Sequence, residues 1–393
     1  MTLIWRNLLA SALVLGHMPA AMASVVWYVN GVSGNDSDNC VTARTACKTI
    51  GHAISLAASG DSVMVAAGTY TENIVIGFSL NLIGSGASTT IIDGGQAQTV
   101  VTISSASADV GISNVTITHG GGRYGGGIYN NGTLTINSST ISGNLALSGC
   151  AYSGVCSSEG GGIGNAGTLT INDSTISGNS VSARCTLSCE SYGCGGGIGN
   201  LGKLTMNNST LSGNSVGVTC TAAPHPCYAE GGGILNFNGG ALAINNSTIS
   251  GNSTHAQCFK VYGQCRAYVG GIYNSQVLYA ATIQNSIVSN NVGGNCYLIK
   301  SDGYNLSSDG TCYFDNVGDL NNTDPKLGPL QNNGGPTETM ALSSGSPAID
   351  AGNPSGCTDG LGHLLKTDQR GYPRPDKEDK AGCDIGAYES QSD

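Results

Sequence analysis

Short alternations of apolar and polar residues recur along the chain at a nearly constant spacing. The segment GGGIYNNGTLTINSSTISGN begins at Gly125, and close copies begin at Gly160 and Gly195. Two further copies, less regular, begin at Gly231 and Val269. Strict alternation over a few residues predicts a β-strand with one buried face. Each copy therefore predicts three short strands, as in the pieces GGIYN, TLTIN and STISGN.

Strands this short cannot bury an apolar face within one repeat, so the repeats are expected to stack on one another. Stacked strands lie about 4.8 Å apart, and equivalent side chains then form columns. The pattern predicts an all-β parallel β-helix, a solenoid with a continuous aliphatic interior. The predicted interior columns are Ile128, Ile163, Ile198, Ile234 and Ile272; Leu134, Leu169, Leu204 and Leu242; and Ile141, Ile176, Leu211, Ile249 and Val288.

Asparagine and glycine recur with the same spacing. Asparagine side chains stacked in register can pair along the solenoid, and glycine permits turns that strain other residues. A leucine-rich repeat and a propeller are disfavoured, because their leucine spacing and aromatic signatures are missing. The predicted asparagine columns are Asn130, Asn165, Asn200, Asn236 and Asn274, and Asn144, Asn179, Asn214, Asn252 and Asn290.

An insert separates each SGN from the next glycine triplet, as in LALSGCAYSGVCSSE. These inserts are expected to project as loops from one edge of the solenoid, and such insertions often mark a binding face. They contain many of the 15 cysteines. Disulfides are favoured over zinc sites, because the close pairs lie in separate repeats. The predicted disulfide cysteines are Cys40 with Cys47, Cys150 with Cys156, Cys220 with Cys227, Cys258 with Cys265, Cys296 with Cys312, and Cys357 with Cys383; the trio Cys185, Cys189 and Cys194 leaves one thiol over.

The first 23 residues have the charge and hydrophobicity of a secretory signal peptide, with an apolar run too short to span a bilayer. We therefore expect a secreted protein, extracellular or at a bacterial cell surface, with the outer membrane as one possible location. No transmembrane span is expected after signal removal. The formal net charge of −10 disfavours a nucleic-acid partner.

Both ends of the chain resemble known bacterial proteins. The start, WYVNGVSGND followed by ACKTIGHAI and GDSVMVAAGTYTENI, resembles right-handed parallel β-helix proteins of the pectate-lyase-like superfamily. GGGIYN with ISGN resembles the repeats of polymorphic outer membrane proteins. The tail, GSPAIDAGNP with DQRGYPRP and CDIGAYE, resembles the choice-of-anchor Q domain. The resemblance implies a right-handed single-stranded solenoid.

These resemblances and the repeat together predict a domain organisation. Residues 1–23 form the signal peptide and residues 24–60 an N-terminal cap that contains a helix. Residues 61–295 form the parallel β-helix with its disulfide-stapled insert loops. Residues 296–393 form an irregular C-terminal cap region of the choice-of-anchor Q type.

The superfamily resemblance also implies an enzymatic alternative, a lyase or a glycoside hydrolase. A lyase would need clustered carboxylates for calcium and a basic residue that abstracts a proton. The weak catalytic candidates are Glu159 and Glu230, which lie two coils apart in the column before the glycine triplet, about 10 Å. That spacing approaches the upper end for an inverting hydrolase. Neither glutamate has an Asp or Arg partner in its own column, so no catalytic residue, metal site or cofactor is predicted outright.

Tyrosines near the insert cysteines indicate a ligand-binding surface on the inserts. A row of aromatic rings with a wet edge suits sugar rings or a protein surface. The leading hypothesis is a non-catalytic β-helix protein that binds an extracellular glycan, or a host or cell-surface protein, through its inserts. The alternatives are a polysaccharide lyase or glycoside hydrolase, and a structural spacer whose tyrosines cover the disulfides. The candidate ligand-binding residues are Tyr152, Tyr192, Tyr228, Tyr262 and Tyr268.

Overall fold

A right-handed parallel β-helix forms the body of the protein. The computed structural model describes residues 24–150, 155–186, 189–221, 226–259, 264–275, 281–377 and 382–391. The predicted signal peptide lies outside the described residues. Within the described ranges every strand pair of the solenoid is parallel, and each coil places one strand on each of three faces.

We number the faces I, II and III in the order in which the chain meets them. Each coil begins on face I, continues through faces II and III, and then turns to face I of the next coil. The strands of face I are Val26–Val29, Asp61–Val65, Leu80–Gly84, Asp109–Ser113, Thr133–Asn137, Thr168–Asn172, Lys203–Asn207, Ala241–Asn245, Ala281–Gln284 and Lys300–Ser301. Those of face II are Gly68–Thr71, Thr90–Asp93, Thr116–Thr118, Thr140–Ser142, Thr175–Ser177, Thr210–Ser212, Thr248–Ser250, Ile287–Ser289 and Leu306–Ser307. Those of face III are Ile74–Ile76, Val101–Ile103, Ile128–Asn130, Ile163–Asn165, Ile198–Asn200, Ile234–Asn236, Ile272–Asn274 and Cys296–Tyr297.

The predicted aliphatic columns are confirmed. Ile128 pairs with Ile163 and Ile163 with Ile198, in register on face III. All three side chains are 0% exposed. The leucine column on face I and the third column on face II pair in the same way. The recurring segment therefore builds one shared interior, as the alternation predicts.

Buried asparagines bond along both predicted columns. On the face III side, Asn130 Nδ2 donates to Asn165 Oδ1 over 2.8 Å, and the pattern continues to Asn274. The other column follows face II. There the prediction of Asn290 is wrong, because Asn252 Nδ2 donates to Asn291 Oδ1 over 2.9 Å.

Asn290, which the sequence pattern wrongly assigns to the ladder, occupies a turn position. It aligns with Gly251, and both have a left-handed backbone, with φ of 55° and 70°. Elsewhere this position is glycine, at Gly143, Gly178 and Gly213. The ladder asparagines thus supply hydrogen bonds, while the preceding residue supplies the left-handed turn.

An N-terminal cap covers the first coil. The helix Ile50–Leu56 buries Ile50, Ala53 and Ile54 against the solenoid core. Its N-cap is Thr49, whose hydroxyl accepts from the His52 amide. A short 3₁₀ helix, Ala43–Thr45, lies between two disulfide-bonded cysteines that close this cap.

The inserts form strands, which corrects the prediction of loops. We call the projecting unit they build the fin. Its interior holds small apolar residues such as Ala146, Val181 and Val216. The first fin sheet comprises Leu145–Cys150, Ser180–Cys185, Ser215–Cys220 and Ser253–Cys258, and the second comprises Val155–Glu159, Glu190–Cys194, Cys227–Glu230 and Cys265–Ala267.

Glycine in the second fin sheet lets the two fin sheets approach closely. A Cβ on Gly193 would lie 2.7 Å from Val216 and 2.9 Å from Val218 of the first sheet. Side chains alternate along a strand, so Tyr192 and Cys194 point away from the fin interior. That outward side of the second fin sheet adjoins face III.

The C-terminal region covers the last coil and then returns along the side of the solenoid. Leu306 forms a bridge with Leu320 at the end of the solenoid. An antiparallel pair, Leu327–Gln331 and Thr339–Leu342, follows. The remaining tail lies along face II, where Gln369 bonds to Thr175 and Thr210. The tail therefore clamps several coils together.

Candidate functional site

The residues before the glycine triplets form the predicted column. Tyr124 pairs with Glu159, Glu159 with Cys194, and Cys194 with Glu230. The two glutamates are half-buried, and the thiol between them is buried. Cys194 is the cysteine left over from its trio, because Cys185 is bonded to Cys189.

These side chains lie in the corner between the second fin sheet and face III. Face III has glycine at Gly164 and Gly199, where other coils have larger residues. A Cβ on Gly199 would lie 3.4 Å from Glu159 Cβ. The absence of a side chain at this position makes room for the base of the fin to pack against the solenoid.

Burial changes the acidity of this column. It raises the pKa of Glu159, and the Arg123 guanidinium opposes that effect. Burial also raises the pKa of Glu230. The Cys194 thiol has a pKa raised well above its usual value, first by burial and then by Glu230 and Glu159. The thiol is therefore uncharged and unreactive at neutral pH.

Five tyrosine rings form a continuous row beside this column. Consecutive ring centroids are 5.1–5.8 Å apart, close to the spacing of stacked strands. The row runs diagonally from the second fin sheet, across the corner, onto face III. In order, its members are Tyr192, Tyr228, Tyr268, Tyr273 and Tyr297.

The structure brings some predicted tyrosines together and adds others. Tyr192 and Tyr228 pair directly on adjacent strands, as their equal distance from a glycine triplet predicts. Tyr273 and Tyr297 were missed, although its place between the inward-facing Ile272 and Asn274 marks Tyr273 as outward-facing. Tyr152 and Tyr262, also predicted, lie outside the described residues.

Most of the phenol groups in the row have no protein partner within the described ranges. Tyr192 is the exception, because its hydroxyl donates to Glu190 Oε2 over 3.0 Å. Burial and this carboxylate raise the pKa of Tyr192 to about 12. Burial and then Glu230 raise the pKa of Tyr273 to about 12. The Tyr192 and Tyr273 hydroxyls therefore stay protonated, and the Tyr273 hydroxyl remains available to water or to a ligand.

Arginines mark both ends of the corner. Arg123 donates from Nε to the Ser157 carbonyl over 2.8 Å, and its guanidinium lies 5.2 Å from the centre of the Tyr124 ring. Its side chain thus covers the free edge of the second fin sheet. Arg266 lies opposite Tyr228 in the last strand of that sheet. Sequence reasoning missed both arginines, because neither lies in the glutamate column.

A shallow hollow of about 360 Å³ continues the corner toward the N-terminal coils. Its floor includes Val75 and Thr102, which occupy the outward position of face III. Its side includes Thr99, Gly122 and Arg123. A larger cavity of about 650 Å³ lies in the tail, away from the tyrosine row.

Disulfides close the tip of the fin. The predicted pairs Cys220–Cys227 and Cys258–Cys265 are formed. Cys150 is also disulfide-bonded, while the side chain of its predicted partner Cys156 lies outside the described set. Outside the fin, the predicted pairs Cys40–Cys47, Cys296–Cys312 and Cys357–Cys383 are formed too.

The fin cysteines are in register as well as paired. Cys150, Cys185, Cys220 and Cys258 occupy equivalent positions on adjacent strands. Among the described residues, the side chains close enough to share a metal ion form two groups, and disulfide-bonded cysteines make up most of each. Calcium prefers oxygen ligands, which neither group supplies.

The acidic and basic residues of the tail form buried ion pairs. Asp368 pairs with Arg370 at 2.7 Å, and Glu389 pairs with Arg374 at 2.7 Å. Burial, then Glu389, raises the pKa of Asp384 to about 7. These ion pairs fix the tail on itself, and Arg374 also donates to Asn208 Oδ1 of the solenoid over 2.8 Å.

Comparison with known proteins adds little at the level of residues. No family profile and no curated protein sequence matches the chain. Pectate lyase Pel9A is 15% identical, with 94% of this chain and 97% of that chain covered and a TM-score of 0.41. The carrot pectin methylesterase is 11% identical, with 77% and 84% covered and a TM-score of 0.37. The Aspergillus niger pectin methylesterase is 16% identical, with 76% and 85% covered and a TM-score of 0.35.

These scores are too low to carry over any residue or activity. The fold rests instead on the strand pairing described above. The resemblances of the repeats to polymorphic outer membrane proteins and of the tail to a choice-of-anchor Q domain stay predictions. No helix among the described residues is long and apolar enough to cross a membrane.

Proposed function

We propose that this protein is a secreted β-helix protein that binds an extracellular glycan along the tyrosine row without cleaving it. The single observation that carries the proposal is the row itself, with five rings in consecutive contact. An elongated row of regularly spaced rings suits a chain of repeating units better than a compact ligand.

The chemistry of tyrosine supports this proposal. Each ring offers an apolar face or edge and a polar tip, so it can contact the C–H surface of a sugar and bond to its hydroxyls. The Tyr228 and Tyr273 rings are half-buried, and Tyr297 is 45% exposed. Their hydroxyls have no partner among the described residues and are free to bond to a ligand.

The disulfides support the extracellular part of the proposal. Disulfides persist in oxidising compartments and are rare in the cytosol. Six are described, and several of them link strands of the projecting fin rather than core elements. The fin supplies one side of the tyrosine row, so an oxidising environment would preserve the binding surface.

Glycoside hydrolysis is the second candidate, and one observation favours it. Glu159 and Glu230 both have raised pKa values and lie beside the tyrosine row. A raised pKa suits a general acid. However, Cys194 separates the two glutamates and is buried, and a buried thiol leaves no open space for a sugar ring between them.

The test is retention on immobilised glycans of neutral, amino and uronate types. Tyr228→Ala and Tyr273→Ala should each weaken binding about tenfold, since one aromatic contact contributes about 1 kcal/mol or more. Tyr313→Ala is the matched control, because Tyr313 is 85% exposed and lies outside the row. Binding that both row variants retain in full would refute the proposal.

The same samples test catalysis. Incubation of each retained glycan with the protein, followed by chain-length analysis, should show no shortening. Products that Glu230→Gln abolishes would replace the binding proposal with the hydrolase candidate.

A further inference from the structure

We propose that the glycan recognised by the tyrosine row carries free amino groups, as glucosamine polymers do. This inference rests on the proposed function, because it names the ligand class of the same surface. It follows from the charges that border the row. It differs from the uronate ligand that a lyase-like interpretation of the sequence implies.

Carboxylates border the row where it crosses the corner. Glu190 accepts a hydrogen bond from the Tyr192 hydroxyl, and Glu230 follows Tyr228 by two residues on the same side of the second fin sheet. Glu159 lies on the same side of the second fin sheet, two strands away from Glu230. A ligand lying on the central rings would therefore approach a cluster of negative charge.

The nearby guanidinium groups offset only part of this negative charge, and Arg123 opposes the rise in the pKa of Glu159. Arg123 is engaged by the carbonyls of Val155 and Ser157 at the first strand of the second fin sheet. Arg266 lies in the last strand of that sheet, opposite Tyr228, and is exposed. Within the described part of the corner, the three glutamates outnumber these two arginines.

This arrangement complements an ammonium group. A cation is attracted to a carboxylate by charge pairing and to the face of a tyrosine ring by cation–π attraction. A uronate would place its own carboxylate beside Glu230, and like charges in a half-buried site repel strongly. Charge complementarity therefore selects an amino sugar and rejects a uronate.

Because the glutamates are half-buried, the preference for an amino sugar should depend on pH. Because burial raises the pKa of Glu159 and Glu230, an ammonium that binds nearby favours their charged forms. Binding should thus release protons from these groups. Affinity should fall as the pH is lowered and the glutamates become protonated, and it should also fall as salt is added.

The experiment is a calorimetric titration with three hexasaccharides of equal length. They are a glucosamine oligomer, its N-acetylated counterpart and a galacturonate oligomer. We expect the glucosamine oligomer to bind about fivefold more tightly than the N-acetylated one, since one partly exposed charge pair contributes about 1 kcal/mol. The galacturonate oligomer should bind most weakly.

Glu230→Gln and Glu190→Gln should each reduce the preference for the glucosamine oligomer over the N-acetylated one. Glu338→Gln is the control, because Glu338 is exposed in the tail and its backbone carbonyl, not its side chain, contacts the solenoid. Circular dichroism verifies that each variant is folded, and either glutamine variant alone suffices for the comparison.

The outcomes separate this inference from the proposed function. Equal binding of the amino and N-acetyl oligomers, or preferred binding of galacturonate, would overturn the amino-sugar inference and leave glycan binding intact. Failure of all three oligomers to bind would overturn the inference, and it would refute the proposed function as well only where none of the immobilised glycans is retained. A preference that both glutamine variants retain in full would also overturn the inference.

Discussion

The solenoid and the fin stack their strands in the same way but are held together differently. The solenoid interior is filled with large aliphatic side chains such as Ile163 and Leu169, which are 0% exposed. The fin interior contains Ala183, Val216 and Gly193. A buried isoleucine contributes about 1.5–3 kcal/mol, and alanine contributes far less. The fin has a covalent link at each level, whereas the coil strands between Ile128 and Val288 contain no cysteine.

The comparison shows how a binding surface arises on a repeat protein. The solenoid supplies a regular frame on which each insert starts at the same height. The inserts inherit that spacing, and their side chains then form columns of their own. Tyr192 and Tyr228 lie in contact because the coils beneath them are in register.

The largest expected effect comes from removing a solenoid core side chain. Ile198→Ala should lower the free energy of unfolding by about 2–5 kcal/mol, because it leaves a cavity in a close-packed column. Val216→Ala in the fin should have a smaller effect, since fewer atoms are lost. Urea unfolding of both variants measures the difference. An equal loss in both would show that the two interiors are equivalent.

Reduction should act on the fin and spare the solenoid. Each disulfide of short sequence separation, such as Cys220–Cys227, contributes about 2 kcal/mol by restricting the unfolded chain. Dithiol treatment should therefore speed amide exchange in Ser180–Cys185 and Ser215–Cys220. Exchange in Thr168–Asn172 should stay slow. Loss of the β circular-dichroism signal on mild reduction would contradict this expectation.

The asparagine ladder at the base of the fin should contribute measurably to stability. Asn214 Nδ2 donates to Asn252 Oδ1 and to the Ile176 carbonyl, and its side chain is buried. Asn214→Ala leaves buried partners without hydrogen bonds, which costs about 1–3 kcal/mol. Asn73→Ala, at an exposed asparagine, is the control. Chemical denaturation that gives equal midpoints for both variants would argue against the ladder.

The attachment of the tail to the solenoid should respond to pH, because raised carboxyl pKa values occur both in the tail, at Asp384, and in the solenoid turn against which the tail packs, at Asp173. The pKa of Asp384 is raised to about 7 and that of Asp173 to about 6, mainly by burial. A carboxyl with a raised pKa stabilises the folded state below its unfolded pKa, and that stability is lost as the pH rises through the folded value. Limited proteolysis should therefore release the tail more readily at pH 8 than at pH 5.

A matched variant identifies the group responsible for this pH effect. Asp384→Asn keeps an uncharged side chain at every pH, so most of the difference between pH 5 and pH 8 should disappear. Asp302→Asn is the control, because Asp302 forms an exposed ion pair with Lys300. A tail that is cleaved equally at both pH values in the unmodified protein would contradict the account.

Much of the fold could be predicted from the sequence, because the repeat is nearly perfect where the interior requires it. The Ile128 column is evident, since isoleucine recurs at this position in five consecutive coils, from Ile128 to Ile272. Asn291 was missed because the Gly-Asn pair of the other copies is Asn290-Asn291 in this one, and either asparagine fits the pattern. The fin strands were missed because Ser182 and Gly217 at outward positions resemble loop residues.

The site could be predicted only in part. The alignment of Tyr192 with Tyr228 follows from their equal distance to a glycine triplet. Tyr297 belongs to a coil of different length, so sequence spacing cannot place it beside Tyr273. The pairing of Arg123 with strand-edge carbonyls depends on three-dimensional contacts that no local pattern encodes.

The most direct test of the central claim maps where a glycan lies on the surface. Tyrosine nitration followed by peptide mass spectrometry compares the protein with and without a saturating glucosamine oligomer. The account predicts that the oligomer protects Tyr228, Tyr268 and Tyr297 and leaves exposed Tyr313 unprotected. Nitration of the row that is unchanged by a glycan shown to bind would contradict the claim that the tyrosine row is the binding surface.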